Sequence, residues 1–275
     1  MAELPIKFDD SAAYERAMGR WSRAVAPIFL QWLAPPVSAR WLDVGCGAGV
    51  LAHTLLELSS PATVVGIDPE VSQIAQASRG PAAGRAAMFQ VADACRLPFA
   101  DASFDIAASA LVLNFIAERS QAMAEMRRVT RGGGSVAAYV WDFAEELSPS
   151  GPLRRAMRRF GVDVPVIPGT AESRIEALRI LFEQAALERI ETRTIEVCLA
   201  YQDFQDFWQA QTPSYSPVTK IIASMPESER KRLMRTLRAD LHAAPGGAIE
   251  YFARANAIKA RVPRSLRGLL RDKGA

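Results

Sequence analysis

Six residues have the types and spacing to do chemistry: aspartates 43, 68 and 93 and glycines 45, 47 and 49. Asp43-Val44 runs directly into Gly45-Cys46-Gly47-Ala48-Gly49, a loop whose missing side chains let the backbone approach a ligand closely, with helix N–H groups expected to point at it. Asp68 follows about 20 residues after the last glycine, where an acidic side chain in a nucleotide-binding fold accepts both hydroxyls of a ribose. Asp93 closes the next apolar run in the same way. Three carboxylates around a glycine loop suit an adenine nucleoside without phosphates. The spacing is G-x-G-x-G, and Val50 stands where a nicotinamide fingerprint would put its third glycine.

The elements that must position these residues follow from the hydrophobic pattern. Arg40–Val44 and Thr63–Ile67 read as buried strands, and Leu51, Leu55 and Leu58 form one helical stripe between them. A helix to about Ser78, a third strand at Ala86–Val91 and a fourth at Phe104–Ser109 continue strand–helix alternation, which implies a parallel sheet. Ala122, Met126 and Val129 mark the next helix. Gly132-Gly133-Gly134 reads as its C-cap, and Ser135–Trp141 as a fifth strand. Odd positions from Arg193 to Leu199 alternate as a sixth strand, and Ala248 to about Ala260 is the last, with poor alternation. Ahead of all this, Ser11–Leu33 carries helical spacing up to Pro35-Pro36. The fold class is therefore α/β, a doubly wound sheet with two helical inserts.

Composition narrows the class. The 275 residues are 49% hydrophobic and 23% charged, which excludes a disordered chain, and the apolar stretch from Phe104 to Ala117 is too short and too interrupted for a membrane span. Glu3 and Asp9-Asp10 stand where a secretory signal would be basic and then apolar, so a cytoplasmic location is expected. Cys46, Cys95 and Cys198 fit neither a disulfide framework nor metal-knuckle spacing, so no metal is expected. A net charge of +3 gives no wholesale nucleic-acid footprint.

Five segments in order, Trp41-Leu42-Asp43-Val44-Gly45-Cys46-Gly47-Ala48-Gly49, Val65-Gly66-Ile67-Asp68-Pro69, Ala92-Asp93-Ala94 with Leu97-Pro98-Phe99, Phe104-Asp105 with Leu111–Phe115, and Glu125–Val129 leading into Gly132–Gly134, closely resemble the class I S-adenosylmethionine-dependent methyltransferases, in particular the type 11, ubiquinone-biosynthesis-like small-molecule branch. The resemblance covers about residues 40 to 141. It implies a Rossmann-like sheet of seven strands, the last antiparallel, with S-adenosyl-L-methionine as cofactor and S-adenosyl-L-homocysteine as product. It places the methionine part against Gly45, Cys46, Gly47 and Gly49 beside Asp43, the ribose on Asp68 next to Pro69, and the adenine near Asp93 and Ala94. Ser109 and Leu111 would flank the sulfonium. The segment Tyr14–Ser22 looks like the element that folds over the cofactor in related enzymes, with Tyr14 and Arg20 reaching its carboxylate.

The whole chain reads as one methyltransferase domain: an N-terminal helical element (1–39), a cofactor-binding core (40–142), cap inserts (143–170 and 202–244), closing strands (171–201 and 245–262) and a basic tail (263–275). Methyl transfer from a sulfonium needs alignment and exclusion of water more than a catalytic triad. Asp142 after strand five and His242 on the second insert are the candidate bases. Leu113-Asn114-Phe115-Ile116 replaces the Pro-Pro motif by which methyltransferases of adenine and glutamine nitrogens resemble one another, and the chain has no Pro-Cys dipeptide of the cytosine C5 class. Phe204, Phe207, Trp208 and Tyr215 give the second insert aromatic surface, which favours a planar or apolar small-molecule acceptor, its O, N or C atom methylated by in-line displacement. The alternatives are an RNA methyltransferase, using Arg154, Arg155, Arg158 and Arg159, the Arg230–Arg235 helix and the tail arginines, and a non-catalytic S-adenosylmethionine-binding protein.

Overall fold

The structure is a computed structural model that describes residues 15–243 and 246–264. Seven strands lie side by side: β1 (Arg40–Val44), β2 (Thr63–Asp68), β3 (Ala87–Val91), β4 (Phe104–Ala110), β5 (Thr130–Trp141), β6 (Glu188–Tyr201) and β8 (Ile249–Arg261), in the order β3-β2-β1-β4-β5-β8-β6. A two-residue strand β7 (His242–Ala243) adds to β8. Strands β1 to β5 are mutually parallel, and β8 is antiparallel to both β5 and β6. The order reverses direction between β1 and β4, the switch point at which open α/β sheets leave a crevice beyond their carboxyl ends. Asp43, Asp68 and the residues after β3 all end there.

Helices cover both faces, so the central strands are apolar throughout rather than alternating. Along β5, Ala137, Tyr139 and Trp141 join one core with α1 (Arg20–Leu33) and α2 (Val50–Leu58). Val136, Ala138 and Val140 join the other core with α4 (Arg119–Val129) and α6 (Ile175–Gln184), leaving α3 (Val71–Ala77) between β2 and β3. The stripe Ala122, Met126 and Val129 is fully buried. In the first core the Trp21 indole N–H donates to the Tyr201 hydroxyl at 3.0 Å, and Trp21 meets Trp141 edge-to-face at 6.1 Å. β8 has poor alternation because it too is central: Ala253, Ala255, Ala257, Ile258 and Ala260 are buried on its two faces.

One helix end differs from its reading in the sequence. Helix α4 stops at Val129 and the chain turns directly into β5, where the Thr130 hydroxyl donates to the Met126 carbonyl at 2.7 Å. The triplet Gly132–Gly134 lies inside the strand and makes a bulge against β4, with Gly133 at φ +78°. A Cβ on Gly134 would sit 2.6 Å from the Asp105 carbonyl. The glycines therefore serve a close backbone approach rather than a cap.

The two inserts join into one cap. The first contains α5 (Gly151–Arg159), and the second contains α7 (Phe204–Gln211), α8 (Pro217–Ser224) and α9 (Glu227–Ala239). Leu233 and Leu237 of α9 and Ala156 and Met157 of α5 share one core, the Gln211 amide donates to the Pro149 carbonyl at 2.8 Å, and Arg159 pairs with Asp240 at 2.8 Å. Asp142 anchors the first insert to the sheet. Its Oδ2 accepts from Arg254 Nε (2.8 Å) and Nη2 (2.6 Å), its Oδ1 accepts from the Glu145 N–H (3.0 Å), and the Arg254 N–H donates to the Leu147 carbonyl (2.7 Å). Removing the arginine would leave a carboxylate that is 1% exposed without its counter-charge. Arg254→Leu is expected to lower unfolding stability by about 3 kcal/mol, read by urea denaturation. Wild-type stability in that variant would show that the pair does not hold the insert.

Candidate functional site

Beyond the carboxyl ends of β1 to β5, and under the cap, lies a cavity of about 470 Å³. That is within the usual range of small-molecule pockets, roughly 300–1,000 Å³. Its floor on the β1–β3 side is the glycine loop and the three acidic strand ends. The β4–β5 side is apolar and aromatic, with Leu111, Phe115, Trp141 and Phe143, and the cap closes it with Arg154, Gln211 and Tyr215.

The glycine loop is fixed by its own amides. Gly45 and Cys46 N–H both donate to the Ile67 carbonyl at 2.8 Å, and Gly47 N–H donates to Asp68 Oδ2 at 3.0 Å. These three loop amides are spent on β2, which leaves the expectation of ligand-facing N–H groups to the start of α2, where Val50 and Leu51 line the cavity. The loop instead offers shape. Gly45 sits at φ +75°, and a Cβ there would fall 2.6 Å from the Val112 side chain. Gly49 starts α2 and packs against Phe89 rather than lining the cavity.

Asp43 is fully buried, lines the cavity, and neither of its carboxylate oxygens has a partner among the described residues. Burial, with the charge of Asp68 adding to it, pushes its pKa up to about 7. Asp68 is better served: Gly47 N–H donates to one oxygen and Glu70 N–H to the other at 2.9 Å, and these bonds oppose the larger upward push of burial. Each oxygen keeps a lone pair free for a further donor. The Cys46 thiol is held protonated by burial and by both aspartates, so it is no nucleophile. Asp93 lies at the rim and accepts the Cys95 N–H at 2.9 Å, closing a turn.

Among the residues singled out in the sequence, Asp43, Gly45, Cys46 and Gly47 line the cavity, as do Asp68, Pro69, Asp93, Ala94 and Leu111. Leu111 takes φ +64°, a costly conformation for a branched side chain, and is held there by its N–H on the Tyr139 carbonyl at 2.7 Å. Five residues fall elsewhere. Ser109 is buried within β4, one position short of the cavity-lining Ala110, and Gly49 packs as described. Arg20 turns toward β6, donating to the Ala200 carbonyl at 2.6 Å and lying over the Tyr201 ring, while its neighbours Met18 and Ser22 line the cavity. Asp142 is consumed by Arg254. His242 is exposed on β7, because α9 ends at Ala239 and the chain pairs with β8 instead of continuing over the site. Tyr14 lies outside the described residues.

Aromatic residues of the second insert divide in the same way. Phe204, Phe207 and Trp208 are core, and Tyr215 reaches the cavity. Sequence reasoning missed Gln73, Phe115, Phe143 and Gln211 as cavity residues, and placed Arg154 only in a charge cluster. No local motif marks them: Gln73 and Phe115 follow β2 and β4, Phe143 and Gln211 come from the two inserts, and only the fold brings them together. Among the described residues no group of His, Cys, Asp or Glu could hold a metal, and no helix is long and apolar enough to cross a membrane.

Comparison with known proteins agrees with this geometry. Residues 42–138 match a family model described as "Methyltransferase domain". A demethylmenaquinone methyltransferase of Roseiflexus castenholzii is 35% identical over 44% of this chain and 49% of its own length. The ubiquinone/menaquinone biosynthesis C-methyltransferase UbiE of Dinoroseobacter shibae is 35% identical over 49% of this chain and 54% of its own. The chain thus spans about half the length of the curated relatives it matches. A Haemonchus contortus phosphoethanolamine N-methyltransferase 2, solved with phosphomonomethylethanolamine and S-adenosylhomocysteine, shares the fold with a TM-score of 0.55 at 18% identity, over 92% of this chain and 57% of that one. With the glycine loop, Asp68 and the sheet order in the same places as the sequence resemblance requires, residues 42–138 form a methyltransferase domain as the family model describes it, similar over that stretch to the quinone-pathway C-methyltransferases.

Proposed function

We propose that the whole chain is an S-adenosylmethionine-dependent methyltransferase acting on a small molecule with a planar or apolar body. The observation that carries this reading is Asp43: a fully buried carboxylate, without a partner among the described residues, facing the cavity beside a second carboxylate. Such a group demands a cation. S-adenosylmethionine fits, having an ammonium and a sulfonium for Asp43 and its surroundings, ribose hydroxyls for the free lone pairs of Asp68, and no phosphate that would meet the acidic rim. When bound, it supplies a methyl group already activated on sulfur.

The chain's own residues then bind, align and exclude water. The Gly45–Gly47 loop and Leu111 shape the cofactor half, Phe115, Trp141, Phe143 and Tyr215 form the apolar acceptor half, and the cap lies over it, reducing access of water. Asp142 and His242 are both withdrawn from the cavity, so neither serves as a base. The titratable carboxylates of the lining all belong to the cofactor half. Among the described residues the acceptor half therefore offers a nucleophile no carboxylate base. Four arginines of the RNA reading have partners within the protein: Arg155 with the Glu146 carbonyl, Arg158 with the Glu146 carboxylate, Arg159 with Asp240, and Arg232 over the Phe160 ring. The small-molecule reading rests on the cavity under the cap rather than on these charges. Cytoplasmic action is proposed on the three unpaired cysteines.

Calorimetric titration with S-adenosylmethionine and S-adenosylhomocysteine is expected to give micromolar binding, with reduced nicotinamide dinucleotide silent; absence of binding to both would overturn the proposal. Asp68→Ala should weaken both by about 1–3 kcal/mol through lost hydrogen bonds to a charged group, and unchanged affinity would remove Asp68 from the ribose.

The ligand-free protein provides a second test. The folded-state pKa of Asp43, about 7, is above the unfolded value of about 3.9. Its contribution to stability is therefore full below pH ~4 and is lost as pH rises through ~7. Asp43→Asn is expected to be more stable than wild type by about 4 kcal/mol at pH 8, with the gain vanishing below pH ~4. Parallel urea-stability profiles for the two proteins would show that Asp43 carries no such strain.

A further inference from the structure

Among the described residues, the acceptor half of the cavity contains one cation. Arg154, in the first turn of α5, is largely buried and lines the cavity together with Ser150 and Leu153 from the same turn. Its Nη2 donates to the Pro165 carbonyl, and no carboxylate lies within ion-pair distance of it among the described residues. The neighbouring arginines of the same helix all find partners outside the cavity: Arg155 and Arg158 take Glu146, and Arg159 takes Asp240.

Three features of the surroundings raise the demand for negative charge at this spot. Helix α5 has no acidic residue in its first turn and no side-chain cap, so its positive end is uncompensated where Arg154 stands. The carboxylates that line the cavity, Asp43, Asp68, Glu70 and Asp93, follow strands β1 to β3. Arg154 belongs to the segment after β5, on the opposite side of the switch point. Trp141, at the end of β5 and in the wall of the same cavity, keeps a buried indole N–H with no acceptor among the described residues. Burial without a counter-ion disfavours the charged guanidinium and lowers its pKa to about 10. That still leaves it charged at neutral pH, a cation lacking an anion.

We propose that the methyl acceptor is an anion, an aromatic or otherwise apolar molecule bearing a carboxylate or comparable oxyanion, and that Arg154 holds that charge and so sets substrate specificity. The proposal rests on the methyltransferase reading above and adds the class of acceptor. Arg154 suits a planar oxyanion because its guanidinium presents paired donors in a fixed fork. Phe115, Phe143 and Tyr215 would enclose the apolar body. The same chemistry has a second source, the carboxylate of the cofactor itself, and the test separates the two.

The probes are 2-naphthoate and its neutral counterpart 2-naphthamide, titrated calorimetrically into the full chain saturated with S-adenosylhomocysteine, alongside a titration of S-adenosylhomocysteine into the empty chain. Wild type is expected to bind the carboxylate at least tenfold more tightly than the amide. Arg154→Gln should abolish that preference while leaving S-adenosylhomocysteine affinity within twofold, and Arg154→Lys should recover part of it. Equal binding of acid and amide by wild type, or a preference that survives Arg154→Gln, would overturn the proposal. A loss of S-adenosylhomocysteine affinity in Arg154→Gln with the naphthoate preference intact would assign the arginine to the cofactor carboxylate and likewise overturn it. Failure of wild type to bind S-adenosylhomocysteine at all would instead strike the underlying methyltransferase reading. Thermal unfolding of both variants checks that they are folded.

Discussion

A carboxylate buried without a counter-charge is the constraint around which this molecule is arranged. Asp43 ends β1 with both oxygens out of water and unpartnered among the described residues, next to Asp68 at the end of β2. Placing two like charges there opposes folding, and the protein tolerates it because everything nearby is tied to something else. The loop amides are bonded to Ile67 and Asp68, and the sheet beneath is buried on both faces. In the proposed reading the cofactor's positive charge answers this arrangement, so cofactor affinity and the instability of the empty site have one physical origin. This is the relation expected when a functional site breaks a rule that the rest of the fold obeys.

The rest of the cavity follows a different logic. Its β4–β5 side is covered by a cap from two inserts far apart in sequence, joined through Leu233, Leu237, Ala156 and Met157 and through the Gln211–Pro149 and Arg159–Asp240 contacts. Asp142, placed where a base would be convenient, is instead the bolt that fastens the first insert to β8 through Arg254. Among the described residues the site has its carboxylates on the donor side and one cation without a carboxylate partner, Arg154, on the acceptor side, and so is polarised. That polarity suits transfer from a cationic donor to an anionic acceptor without an intervening acid or base.

Much of the core was legible in the sequence because parallel-sheet grammar is local: each strand is a short apolar run, and each strand end carries its acid or glycine next to it. Asp43, Asp68 and the Gly45–Gly47 loop are where their spacing puts them. What was not legible depends on contacts between distant segments. The poor alternation of β8 reflects its place between β5 and β6, which pattern alone does not reveal. The glycine triplet after α4 looks like a helix stop, yet it is needed for the close passage of Gly134 past Asp105. His242 sits two positions from the end of an apolar helical stripe, but pairing with Glu250 takes it into a strand and away from the site. Arg154 is indistinguishable in sequence from its three arginine neighbours, and only its place on the cavity side of the helix separates it from them.

The central claim is that Asp43 meets the positive charge of the cofactor, and proton release on binding tests it most directly. S-adenosylmethionine is titrated calorimetrically at pH 6.5 in buffers of differing ionisation enthalpy. With a pKa of about 7 in the empty site, Asp43 is mostly protonated there, and a bound cation should drive that proton off. The account predicts net release of roughly half a proton or more per cofactor bound, and none in Asp43→Asn. Binding with no proton release, or with the same release in the variant, would contradict it.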